Sequence, residues 1–178
     1  MPTYVAFLRA INLGPTRKFP KEAIKAAVES VGATGVETYL NTGNVRLTTR
    51  LRSPARVEQA LEEAFLADRA FAVPTVALTP GELLDIVADV DALWAEFGEP
   101  AAHSVTLFKE PPETSATRAV EALDLADRAV VRGRAAHVLL TSGFHDSRLL
   151  NAREFGALGV GTARYATVLR ELATRWCG

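Results

Sequence analysis

The sequence has little that would support a disulfide, a zinc site or a membrane segment. It holds one cysteine, Cys177, so no intramolecular disulfide can form and no second cysteine is present to hold zinc. No apolar run approaches the ~18 residues that cross a bilayer. The amino terminus also has no basic stretch followed by an apolar core of the secretory type. We therefore expect a cytoplasmic protein without a membrane partner.

The signatures of cofactor binding and covalent catalysis are also missing. The chain has no Walker-type phosphate loop, no dinucleotide glycine fingerprint and no serine-hydrolase elbow. The histidines His103, His137 and His145 lack metal-ligand spacing, and His137 lies in an apolar stretch typical of a core histidine. The sequence predicts no cofactor and no metal site. It points to no catalytic residue, and it leaves open whether the protein is an enzyme.

The composition is that of an ordinary globular protein, with 48% hydrophobic and 23% charged residues in a chain of 178. The net charge of -1 hides a division. Residues 1–56 hold nine basic and three acidic residues. Residues 57–127 hold three basic and fifteen acidic residues, and residues 128–178 hold eight basic and three acidic residues. If the basic ends fold together, they present one positive surface to an anion; dispersal over solvated faces is the alternative. Acidic pairs such as Glu62 and Glu63 are expected on solvated helix faces.

The hydrophobic pattern of residues 1–78 predicts a ferredoxin-like unit, in the order strand, helix, strand, strand, helix, strand. The predicted helices are residues 21–31, which follow Pro20, and residues 54–67, with Ser53 as N-cap. The predicted strands are residues 3–9, 36–40, 45–49 and 74–78. Because the first strand is apolar on both of its faces, we expect it in the middle of the sheet.

Residues 79–178 are predicted to form a second, related α+β unit with C-terminal helices, packed on the first. Thr79 and Glu82 have the spacing of a capping box and open a connecting helix. A strand at 103–108, a helix at 115–123 and a hairpin of residues 129–132 and 135–141, turning at Gly133, repeat the order of the first unit. The last two helices are expected near residues 147–155 and 166–176.

Two short polar motifs stand at predicted strand ends, where loops usually carry function. Arg-Ala-Ile-Asn-Leu-Gly from Arg9 follows the first strand, and Asn-Thr-Gly-Asn from Asn41 joins the second strand to the third. The first and second strands of such a unit run parallel, so both motifs leave the same sheet edge, roughly 10 Å apart. Arginine suits a carboxylate or a phosphate, asparagines offer amides, and glycines admit a ligand to the backbone.

The sequence therefore predicts a binding site for a small anion, phosphorylated or nucleotide-like. Two basic residues of the carboxyl-terminal segment, expected near helix starts, are added to the motifs. The predicted ligand-binding residues are Arg9, Asn12, Gly14, Lys18, Asn41, Gly43, Asn44, Arg148 and Arg164.

Three alternatives stay open beside this site. Asn-Thr-Gly-Asn is also ordinary hairpin-turn chemistry. A nucleic-acid-binding protein would need exposed aromatic side chains, for which Tyr4 and Phe7 are available. A protein-interaction module without catalytic activity would use the acidic middle segment to dock a basic partner.

The motifs also carry a family resemblance. The run Tyr-Val-Ala-Phe-Leu-Arg-Ala-Ile-Asn-Leu-Gly from Tyr4, followed by Lys18, Thr38-Tyr39 and Thr-Gly-Asn-Val from Thr42, resembles the bacterial domain of unknown function 1697. Weaker similarity continues through Gly133-Arg134, Gly143, Ser147-Arg148-Leu149, Thr162, Arg164 and Thr167-Val168-Leu169. Ala10 stands where the family usually has glycine, and Thr42 where it usually has serine. The resemblance implies an α+β protein with a ferredoxin-like half and a related second half, and no established activity.

Overall fold

A computed structural model describes all 178 residues and contains the same element order twice. The strands are β1 (Thr3–Leu8), β2 (Thr34–Tyr39), β3 (Asn44–Thr48), β4 (Thr75–Leu78), β5 (Ala102–Phe108), β6 (Arg128–Arg132), β7 (Ala135–Leu140) and β8 (Gly161–Tyr165). The helices are α1 (Lys21–Ser30), α2 (Pro54–Arg69), α3 (Pro80–Phe97), α4 (Thr114–Glu121), α5 (Arg153–Gly156) and α6 (Ala166–Trp176). None of them combines the length and the apolarity that a membrane span requires.

Each repeat forms one four-stranded antiparallel sheet. The strand orders are β2-β3-β1-β4 and β6-β7-β5-β8. In the first sheet β3 pairs antiparallel with both β1 and β2, so β1 and β2 run parallel and end at the same edge. This is the split β-α-β arrangement, and it confirms the predicted α+β fold with a ferredoxin-like first half and a related second half.

The chain divides into two compact units, residues 1–83 with 174–178 and residues 84–173, so that the division falls within α3 and within α6. In the first unit Tyr4, Ala6 and Leu8 belong to the core formed with α1 and α2. Val5 and Phe7, on the other face of β1, are also fully buried. The strand order places β1 between β3 and β4, which confirms the prediction that it lies in the middle of the sheet. The second core lies between its sheet and α4.

Local capping signals set the helix starts that the sequence predicts. The Ser53 hydroxyl accepts a hydrogen bond from the Arg56 N–H at 3.4 Å and caps α2. At α3 the Thr79 hydroxyl accepts from the Glu82 N–H at 3.2 Å, while the Glu82 carboxylate accepts from the Thr79 N–H at 2.8 Å. This reciprocal pair is the predicted capping box.

Two glutamates of α2 cover the outer edge of β4. The Glu62 carboxylate accepts from the Thr75 N–H at 2.7 Å, and the buried Glu58 carboxylate accepts from the Ala77 N–H at 2.9 Å. An edge strand presents unpaired N–H groups that invite other chains, and these carboxylates occupy two of them. The expectation that Glu62 lies on a solvated acidic face is therefore wrong, because its carboxylate is hydrogen-bonded to the backbone of β4.

Replacing Glu58 with leucine is expected to lower the free energy of unfolding by about 1 to 3 kcal/mol, because the Ala77 N–H loses its acceptor while staying buried. Urea unfolding measures this change. Glu58→Gln keeps an acceptor oxygen and should retain most of the stability, and Glu63→Ala, at an exposed position of the same helix, should change it by less than about 0.5 kcal/mol. Equal losses in Glu58→Leu and Glu58→Gln would contradict this role.

Two elements near the carboxyl end differ from the sequence expectation. Residues 147–155 do not form one helix: the Ser147 hydroxyl accepts from the Leu150 N–H at 3.2 Å, and Asn151 donates to the Ser147 carbonyl at 2.8 Å. These bonds close a single turn, and only α5 follows it. The strand β8 was not predicted. Its alternation of apolar residues is weak, and its conformation comes from pairing with β5.

Candidate functional site

The structure brings the two polar motifs into direct contact at the edge where β1 and β2 end. The Asn12 amide nitrogen donates to the Asn41 carbonyl at 2.7 Å, and the Leu8 N–H donates to the Gly43 carbonyl at 2.8 Å. The contact of Asn12 with Asn41 follows from the parallel course of β1 and β2, and the Leu8–Gly43 bond continues the antiparallel pairing of β1 with β3. We call this region the motif edge: residues 9–20 and 38–44.

Asn12 closes the first loop of the motif edge. Its side-chain oxygen accepts from the Phe19 N–H at 2.8 Å, and its amide nitrogen donates to the Phe19 carbonyl at 3.2 Å as well as to Asn41. Its own N–H donates to the Arg17 carbonyl at 2.7 Å. The Asn12 amide is therefore engaged within the chain, and it fixes the shape of the loop.

The turn of the second motif is held in a similar way. Asn44 is fully buried, and its amide nitrogen donates to the Tyr39 carbonyl at 2.9 Å and to the Thr42 hydroxyl at 3.0 Å. Gly43 has a φ of 78°, and a Cβ placed there would lie 2.6 Å from the Leu8 Cβ and 2.9 Å from the Ile11 Cδ1. Glycine at this position serves the packing of the turn against β1 and its loop.

Backbone strain is concentrated at the motif edge. Four non-glycine residues have a positive φ, and three of them lie here: Ala10 at 56°, Asn12 at 55° and Leu40 at 58°. A left-handed conformation costs a residue with a Cβ about 1 to 2 kcal/mol. Strain of this kind persists where the surroundings impose it, and it collects at ligand-binding loops. The positive φ at Ala10 also explains why the similar family usually has glycine at this position.

Free positive charge lies beside the strained loops. Arg9, Lys18 and Lys21 are exposed and make no ion pair. Arg17 differs, because its guanidinium donates to the Ala10 and Ala72 carbonyls at 2.6 and 2.7 Å. The side chains of Arg9 and Lys18 are thus the basic groups of the first loop that an anion meets.

An open groove of about 420 Å³ adjoins the motif edge. It runs between the start of α1 and the end of β2, and its lining residues are Lys21, Glu22, Lys25, Thr38, Tyr39, Leu40 and Asn41. Sequence reasoning singled out Asn41 but not Lys21, Lys25 or Tyr39 as site residues. Their only sequence signal is the pair of lysines in the first turns of a predicted helix. The groove can bind and orient a molecule, but no paired nucleophile and base line it.

The remaining predicted residues are Gly14, Arg148 and Arg164. Gly14 has a φ of 65° and open space around it. Arg148 is exposed in the turn after Ser147 and no helix starts there, so its expected place is wrong; Arg164 lies in β8, two residues before the start of α6, as expected. Burial lowers the pKa of Arg164 to about 10, and its guanidinium donates to the Thr162 hydroxyl at 2.9 Å. A role for either arginine in binding stays a prediction.

The second unit contains a buried carboxylate that the sequence does not reveal. Asp127 accepts from the Thr141 N–H at 2.9 Å, from the Thr141 hydroxyl at 3.0 Å and from the Ser147 hydroxyl at 2.7 Å. Burial alone would raise the pKa of this carboxyl, but the hydrogen bonds from Thr141 and Ser147 lower it. Asp127 fastens both ends of the segment 141–147 to the start of β6.

The second unit also buries a pair of histidines. The Trp94 indole donates to His103 Nδ1 at 2.9 Å, and His103 Nε2 lies 3.1 Å from His137 Nδ1. Because His103 Nδ1 accepts the indole hydrogen, its Nε2 carries the ring hydrogen and donates to His137. His137 Nε2 is buried without a partner, so the core position predicted for His137 is confirmed while one ring nitrogen stays unsatisfied.

The acidic residues around this pair are also engaged. Asp89 of α3 pairs with Arg132 of β6 at 2.7 Å, and Asp91 pairs with Arg170 of α6. Nowhere in the structure do three or more histidine, cysteine, aspartate or glutamate side chains cluster as metal ligands would. The histidine pair is thus a buried polar part of the second core.

Comparisons with known proteins agree with this architecture. The solved structure described as conserved bacterial protein SP0830 from Streptococcus pneumoniae superposes with a TM-score of 0.75, over 98% of each chain, at 20% sequence identity. At that identity the likeness shows the fold. No curated protein matches the sequence. The family model "Protein of unknown function (DUF1697)" matches residues 1–137, and the chain therefore belongs to the DUF1697 family.

Proposed function

We propose that the protein binds a small anionic ligand, phosphorylated or nucleotide-like, at the motif edge. The observation that carries the proposal is the set of exposed, unpaired cations: Arg9 and Lys18 belong to the strained loops, and Lys21 lines the adjoining open groove of about 420 Å³. Pockets of ~300 to 1,000 Å³ are the usual size for small ligands. The groove therefore has room for a metabolite and positive charge for its phosphate.

The proposal divides the motif residues into two roles. Arg9 and Lys18 supply charge, and Asn41 lines the groove. Asn12 and Asn44 hold the loops in shape through their hydrogen bonds within the chain. Exposed Leu13 and Leu40 at the same edge give an apolar surface for the uncharged part of a ligand.

A polynucleotide fits this edge less well. Single-stranded nucleic acids are usually held by bases stacked on exposed aromatic side chains. Tyr4 and Phe7 of the first sheet are 3% and 0% exposed, so neither provides a stacking platform. This favours a small molecule as the ligand.

Replacing Arg9 with glutamine is expected to weaken ligand binding by about tenfold or more, because a charge-assisted hydrogen bond contributes about 1.5 to 3 kcal/mol. The first step is a thermal-shift screen of wild-type protein against nucleoside monophosphates and sugar phosphates. Calorimetry with the best compound then compares wild type and Arg9→Gln.

The controls separate binding from folding. Arg9 is exposed and unpaired, so Arg9→Gln should change the free energy of unfolding by less than about 0.5 kcal/mol. Arg118→Gln removes an exposed arginine of α4 and should bind as wild type does. Equal affinity in wild type and Arg9→Gln, or a screen without any stabilising compound, would leave the motifs as loop and turn structure.

A further inference from the structure

A second group of unpaired arginines lies in the first unit, in the loop between β3 and α2 and in the first turn of α2. Arg50, Arg52 and Arg56 line one open cavity of about 480 Å³ together with Leu51 and Ser53. All three arginines are exposed. We call this concavity the arginine cavity.

The arginine cavity and the motif edge lie at opposite ends of the strands of the first sheet. β3 runs antiparallel to β1 and β2, so the segment that leaves its carboxyl end lies at the other end of the strands. No residue of the groove beside α1 lines the arginine cavity. The two regions are therefore distinct, and a single substitution tests one without touching the other.

No acidic side chain neutralises the three arginines. None of the three guanidinium groups makes an ion pair or a hydrogen bond within the chain. Glu82 acts electrostatically on Tyr4, whose hydroxyl donates to the Leu51 carbonyl at 3.3 Å. The Glu82 carboxylate is engaged in the capping box with Thr79. Three like charges thus face one concavity without a counter-charge from the chain.

We propose that the arginine cavity binds the oligophosphate group of a small molecule. A guanidinium presents a planar fork of donors that matches phosphate oxygens, and three of them suit a chain of several phosphates better than one carboxylate. The lining contains no aromatic residue on which a base could stack, which argues against a single-stranded polynucleotide. The Arg56 N–H is already used by Ser53, so the arginine side chains do the binding.

Calorimetry with sodium tripolyphosphate at constant ionic strength tests the proposal. Wild type is expected to bind it, Arg52→Gln to bind it at least tenfold more weakly, and the double variant Arg50→Gln, Arg52→Gln not to bind it at millimolar concentration. Arg52→Lys keeps the charge but loses the fork, and its affinity should fall between those of wild type and Arg52→Gln. Arg118→Gln, which removes an exposed arginine outside both regions, is the matched control and should bind as wild type does, while Arg9→Gln reports any binding at the motif edge.

The results that would overturn this proposal differ from those that would overturn ligand binding at the motif edge. No binding by wild type, or equal affinity in wild type and the double variant, would remove the arginine cavity as a phosphate site. Weakening by Arg9→Gln alone would assign tripolyphosphate to the motif edge. Tighter, Arg52-dependent binding of a single-stranded oligonucleotide than of tripolyphosphate would make the partner a nucleic acid. Urea unfolding of each variant should match wild type, since all three arginines are exposed.

Discussion

Replacing Gly43 with alanine is expected to lower the free energy of unfolding by about 3 to 5 kcal/mol. Two costs combine: an L-residue at a φ of 78° is strained, and the new Cβ would lie 2.6 Å from the Leu8 Cβ. The Leu8 Cβ is fixed to the backbone of a central strand, so it cannot move aside as the end of a long side chain would. Urea unfolding measures the loss.

Gly14→Ala is the matched control for this change. Gly14 also has a positive φ, of 65°, but a Cβ there meets no atom within 4 Å. Only the conformational cost of about 1 to 2 kcal/mol should remain. Similar losses in Gly43→Ala and Gly14→Ala would show that the close approach to Leu8 is relieved by movement of the turn.

Acidification from pH 6.5 to pH 4 is expected to destabilise the protein by up to about 3 kcal/mol for each of His103 and His137. The pKa of both histidines is lowered to about 4 from an ordinary value of 6.5. Burial is the main cause, and nearby positive charge lowers the pKa further. For His103 this charge is Arg170; for His137 it is His103 and Arg132, opposed by Asp89.

The direction of this pH effect follows from proton linkage. Between pH 6.5 and pH 4 the unfolded chain binds protons at both histidines while the folded chain does not, so acid favours unfolding. Above pH 6.5 both states are neutral at these residues, and below pH 4 the loss is complete. Histidine titration followed by NMR, with urea unfolding at pH 7.5 and pH 5, measures it.

Two variants identify the histidines as the source. His137→Leu removes one titrating ring together with its unpartnered Nε2, and the stability loss between pH 7.5 and pH 5 should fall by about half. His145→Gln removes an exposed histidine of the same unit and should keep the wild-type loss. An acid loss unchanged by His137→Leu would assign it to other groups.

The meeting of the two motifs was predicted from the sequence, but the hydrogen bonds within them were not. The parallel course of β1 and β2 follows from the element order, and it places Arg9 and Asn41 at one edge. Nothing in the sequence distinguishes an asparagine that binds a ligand from one that binds its own loop. The pairing of Asn12 with Phe19 and the burial of Asn44 depend on chain segments that meet only after folding.

The sequence by itself determined the elements whose signals are local. Pro20 before α1, Ser53 at α2 and the capping box at α3 act within one helical turn, and the apolar faces of β1 act within one strand. Only the tertiary structure decided β8 and the use of Glu58 on β4, because β8 forms by pairing with β5 and Glu58 finds its N–H partner 19 residues away. Hydrogen bonds and packing between distant segments leave no local pattern in the chain, so they become visible only once the segments are brought together.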